Sequence, residues 1–186
     1  TLLCHWPQPV QEFAIVGHSM GGLVARSAVH HGRAARHDWP RSLRRLMFLG
    51  TPHHGAPLER GGHRLDYVME LSPYVAPFTR LGKSRSAGIT DLRYGSITED
   101  EQEFVPLPQD VDCYALAATL GKRRGRVAER LVGDGLVPLD SALGRHRDAA
   151  RTLALPDERQ WVGYEMGHLE LLGRPEVYAQ LRKWLK

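Results

Sequence analysis

The chain holds 186 residues, 42% hydrophobic and 25% charged, with a formal net charge of +4. That balance fits one folded domain with a sizeable core and argues against a disordered chain. No apolar run approaches the ~20 residues that cross a bilayer, and two cysteines, Cys4 and Cys113, make neither a disulfide framework nor a metal-ligand spacing.

In chain order, residues 1–6 read as the end of a helix, closed by Pro7 and Pro9. Residues 13–16 are an apolar run that predicts a buried strand, and 22–31 a helix. "LRRLMFLG", 43–50, predicts a second buried strand. Residues 51–110 are irregular and rich in Gly and Pro, with one helix-like stretch at 62–72; an insertion of this length is expected to act as a lid or cap. "VDCYALAA", 111–118, predicts a third strand that buries Cys113, and 160–163 a short fourth. Residues 175–186 predict a terminal helix with Pro175 in its first turn. Strands alternating with helices predict a single α/β domain over residues 1–186, with a mainly parallel sheet and helices on both faces.

The basic clusters, Arg41/Arg44/Arg45 and Lys122/Arg123/Arg124/Arg126, read first as solvated faces. No aromatic residues interleave with them, so no nucleic-acid partner is expected. A transient contact with a membrane surface is compatible with their charge. No leader is visible before residue 10, but the chain starts with Thr1 rather than Met, so the compartment stays open, with the cytoplasm the default expectation.

The chemistry is concentrated in "EFAIVGHSMGGLVARS", residues 12–27. A serine hydroxyl is a poor nucleophile until something positions it and takes its proton. A tight strand-to-helix turn does the first, lifting the serine oxygen above the sheet in a strained backbone conformation. Neighbours in such a turn must be small, which gives a reason for Gly17 and Gly21 around Ser19; Gly22 lets the helix approach the sheet. The helix N-terminus adds partial positive charge near a developing oxyanion.

A base and an orienting acid should follow in the order Ser, Asp or Glu, His. His168, in "GYEMGHLELLG" between the last strand and the last helix, is the expected base. Asp134 and Asp140, in "GDGLVPLDSALG", compete as the acid. Asp134 is favoured because Gly133 and Gly135 suit a sharp turn that presents a carboxylate, whereas Asp140 or Ser141 reads as a helix cap. His53 and His54, just after the second strand, are expected to wall a substrate pocket, with His18 in the elbow a further substrate-side candidate. A metal site joining them to His63 is not expected, because no carboxylate has ligand spacing.

Four stretches, "GHSMGGLVAR", "LGTPHHGAPLE", "GDGLVPLDSALG" and "GHLELL", resemble the lipase and esterase group of α/β-hydrolases, and within it bacterial proteins similar to GPI inositol-deacylase and triacylglycerol lipases. The resemblance runs from about residue 10 to the end. It implies Ser19, Asp134 and His168 as catalytic residues and the Met20 N–H as an oxyanion-hole donor. It implies a small-molecule or lipid ester as substrate and no cofactor. Only 18 residues precede Ser19, whereas the family places further strands and the second oxyanion donor there. The expectation is therefore a fold truncated before the nucleophile strand and inactive or nearly so by itself. An acyltransferase or thioesterase using the same residues is the nearest alternative, and a non-catalytic fragment or interaction protein the alternative of a different class.

Overall fold

The computed structural model describes residues 3–56, 95–98, 100, 103–122 and 133–186. The helix-like stretch at 62–72, His63 and most of the 51–110 insertion lie outside the described residues. A 3-10 turn, Leu3–His5, stands where the end of a helix is expected. The chain then forms β1 (Phe13–His18), α1 (Met20–Ala34), β2 (Leu43–Leu49) and β3 (Asp112–Thr119). A one-turn helix α2 (Leu139–Ala142), β4 (Gln160–Tyr164) and α3 (Pro175–Leu185) complete it. The strands pair in parallel in the order β1-β2-β3-β4. Parallel neighbours need a crossover between them, and α1 supplies the one between β1 and β2.

Period-two alternation sends the two sides of each strand to separate cores. Cys113, Ala115 and Ala117 of β3 join Phe48 and Leu46 of β2 on the face covered by Ala25 and Val29 of α1 and by Ala142 of α2. Met47, Leu49, Leu116 and Ala118 face the other way, against Val177 and Trp184 of α3. Helices therefore lie on both faces, as expected. Leu43 joins the first face out of phase with Leu46 because the register shifts: Phe13 pairs with Leu43 but Ala14 with Arg45. Arg44 is the extra residue, exposed at a bulge. Cys113 is a free, buried thiol, pushed up to about 12 chiefly by that burial.

The described ends of the 51–110 insertion pack into the body. Thr51, His53 and Ala56 are buried directly after β2. At the far end, the carbonyl of buried Val105 accepts a 2.7 Å hydrogen bond from Arg26 Nη2 of α1. Both ends are part of the packed domain.

The glycines around Ser19 divide unexpectedly. A Cβ on Gly17 would lie 2.8 Å from the backbone N and Cα of Gly22, and one on Gly22 would lie 2.0 Å from Thr51 Oγ1. A Cβ on Gly21 would meet nothing within 4 Å. Gly21 is thus exposed on the first turn of α1, and steric crowding explains Gly17 and Gly22 but not Gly21. Gly17→Ala and Gly22→Ala are each expected to cost about 1–3 kcal/mol through overpacking. Gly21→Ala should be neutral or mildly stabilising, since alanine favours a helix over glycine by about 1 kcal/mol. Urea denaturation of the three variants checks this; equal loss in all three would contradict it.

Candidate active site

All four strands run in parallel, so their C-terminal ends share one edge of the sheet, and the loops leaving that edge carry the site. At the end of β1, the chain turns from strand to helix through Ser19 alone. Its backbone sits at φ 55° and ψ −128°, a conformation that costs a non-glycine residue about 1–3 kcal/mol. Its N–H donates to the Leu49 carbonyl at 2.8 Å, pinning the turn to the end of β2. Met20 is the first residue of α1. The N–H of such a residue has no acceptor within its own helix, so it is available to an anion.

Asp134 lies between Gly133 (φ 67°) and Gly135 (φ 95°), in a turn that only glycine enters easily on both sides. Its carboxylate is divided between two tasks. Oδ1 accepts from the Leu136 and Val137 N–H groups at 3.0 and 2.8 Å, fixing the side chain in its own loop. Oδ2 lies 2.7 Å from His168 Nδ1, and both side chains are buried. With a carboxylate as acceptor, Nδ1 carries the proton and Nε2 is left with its lone pair. The backbone repeats the link, the His168 N–H donating to the Asp134 carbonyl at 3.1 Å. Asp140 is exposed within the first turn of α2, whose N-cap is Pro138, so neither Asp140 nor Ser141 caps that helix.

Two neighbours of His168 complete the pocket around its ring. A Cβ on Gly50, at φ 56°, would lie 3.1 Å from its Cε1 and Nδ1. His18 packs its ring on that of His168, with centroids 4.6 Å apart. His18 Nε2 also lies 3.2 Å from the His168 carbonyl oxygen, to which it donates. Burial first, then the neighbouring His168, lower the His18 pKa to about 4. The structure places His18, expected on the substrate side, in contact with His168.

His53 and His54 are also turned elsewhere. His53 is buried edge-on against Phe48, with Nδ1 3.3 Å from Arg26 Nη1. Burial, with the Arg26 charge next, holds it neutral. His54 Nε2 donates to the Gly144 carbonyl at 3.0 Å, and its ring packs on His146. Each makes its described contacts within the body, because the chain leaving β2 dives between α1 and α2 instead of running over the sheet edge. Ser141 fastens that segment, donating to the Gly55 carbonyl at 2.8 Å and accepting from the His54 N–H at 3.1 Å. Sequence reasoning missed Gly50 and Ser141. Gly50, a glycine closing an apolar run as Gly17 does, carried a usable signal; Ser141 carried none.

Comparison with known proteins follows the same lines. The model of the PGAP1-like alpha/beta domain family matches residues 4–110. No curated protein matches the sequence. Among solved structures, 36 chains match, including the mature form of the Bacillus licheniformis lipase BlEst2, with a TM-score of 0.54 and 17% identity. That match covers 95% of this chain but 66% of the lipase, so the chain spans a little under two thirds of its length. The fold is that of the lipase- and esterase-like α/β-hydrolases, and the chain belongs to the PGAP1-like alpha/beta domain family.

Proposed function

We propose that the protein is a serine hydrolase of carboxylic esters, using Ser19, Asp134 and His168 through an acyl-enzyme. The observation that carries this reading is the buried 2.7 Å contact between Asp134 Oδ2 and His168 Nδ1, at the sheet edge where Ser19 holds a strained backbone. A buried histidine with its proton fixed on Nδ1 has a basic Nε2, as a serine nucleophile requires.

In the proposed reaction Ser19 Oγ attacks the ester carbonyl carbon and its proton passes to His168 Nε2. Asp134 holds the ring in place and offsets the imidazolium charge. The oxyanion is received by the Met20 N–H at the positive end of α1, together with a second donor. The tetrahedral intermediate expels the alcohol, which takes the proton from His168. Water, deprotonated by the same histidine, then releases the acid and restores Ser19. The substrate proposed is a small-molecule or lipid ester, and no step calls for a cofactor.

In the natural full-length protein, Ser19→Ala is expected to abolish hydrolysis of short p-nitrophenyl esters and labelling by a fluorophosphonate. Persistent labelling at another serine would overturn the assignment. Asp134→Asn tests the acid separately. The asparagine keeps an oxygen for the Leu136 and Val137 amides but turns an NH2 toward His168, forcing the proton to Nε2. A fall in kcat of roughly 10⁴ is expected from the wrong tautomer. Asp140→Asn should cost far less, and the reverse ranking would move the role to Asp140.

A further inference from the structure

We infer that His18 is a positioning residue that fixes the His168 imidazole relative to Ser19. The inference rests on the proposed function and adds to it the means by which two distant loops are held in register. Ser19 ends β1, whereas His168 follows β4, at the other end of the four-strand order. Three strand spacings, roughly 14 Å, separate those two strands, and the loops that leave them are tied down independently. Backbone bonds fix Ser19 to β2 through Leu49 and fix His168 to Asp134, but neither bond relates Ser19 to His168.

His18 supplies that relation. It is the residue before Ser19, so the tight turn leaves little freedom between them. Its side chain reaches across 150 positions of sequence to meet His168 twice, ring on ring at 4.6 Å and Nε2 to carbonyl oxygen at 3.2 Å. The carbonyl can only accept, so Nε2–H is the donor and His18 is held as one tautomer. Two contacts of different direction restrain both the distance and the tilt of the neighbouring ring. His18 is neutral at pH 7, its pKa lying near 4. A second cation there would oppose the positive charge that His168 takes on when it accepts the serine proton. A neutral donor thus positions the His168 ring without setting a like charge beside it.

The contacts bear on the geometry of proton transfer, so kcat and KM should separate. In the natural full-length protein, His18→Ala is expected to lower kcat on p-nitrophenyl esters on the order of 10²-fold, the cost of a misplacement of about 1 Å. KM should change less than about threefold. His18→Gln, which retains an N–H donor of similar reach, should recover at least about tenfold of the loss, and His18→Phe, which keeps the ring without the donor, less. Melting temperatures separate positioning from folding. A kcat loss that follows the melting temperature across the three variants, with no rescue by glutamine, would overturn the inference, as would wild-type kcat in His18→Ala. A second readout needs no turnover. The far-downfield proton resonance of His168 Nδ1–H should broaden or vanish at pH 7 in His18→Ala, and an unchanged resonance also counts against the inference. Fluorophosphonate labelling of Ser19 in the wild type tests the proposed function alone. If labelling fails while the resonance responds to His18, the hydrolase reading falls and the positioning contact stands.

Discussion

The close approach of α1 to the ends of β1 and β2 governs this structure. Its first turn sits where Cβ atoms on Gly17 or Gly22 would be within 3 Å of other atoms. At that separation the chain has one residue in which to change from strand to helix, and Ser19 absorbs the whole change at φ 55°. The strain is offset by what the approach permits. Ala25 and Val29 of α1 enter the core with Phe48 and Leu46, and the Ser19 N–H finds an acceptor at the end of β2. A larger residue at position 17 or 22 would lift the helix and release the strain, at the expense of that packing.

The parallel sheet gives this turn its companions. Loops leaving β1, β2, β3 and β4 emerge on one edge, so Ser19, Gly50, Asp134 and His168 lie near one another although 149 positions separate the first and last. The general rule that open parallel sheets use the carboxyl ends of their strands has a simple origin here: every crossover returns the chain to the same starting edge. Asp134 and His168 are held to each other more firmly than either is held to Ser19. Asp134 meets His168 through both side chain and backbone.

The loop after β2 is anchored in a different way. Arg26 is buried in α1, with His53 and the Val105 carbonyl as its partners. Burial lowers its pKa to about 10, the signature of a guanidinium held out of water. It ties both ends of the 51–110 insertion to the helix that begins at the elbow.

Much of the fold and the centre of the site were legible in the sequence. Apolar runs at 13–16, 43–50, 111–118 and 160–163 marked the four strands, missing their ends by no more than two residues. Glycines marked both turns, because a positive φ or a missing Cβ is a demand made within a few residues. The chain order pointed to Ser19, Asp134 and His168, whose loops leave one sheet edge, and Asp134, between its two glycines, is the carboxylate that meets His168. Where the side chains of the three other histidines lie was not legible, for one reason. His18, His53 and His54 have partners 150, 27 and 90 positions away. A histidine beside a reactive serine or after a strand looks the same whether it faces a ligand, an arginine or another histidine. Short-range spacing determines what the backbone must do over one turn, and that much the sequence settled by itself. Which side chains meet depends on how loops from different strands pack at one edge, and only the tertiary structure decided it.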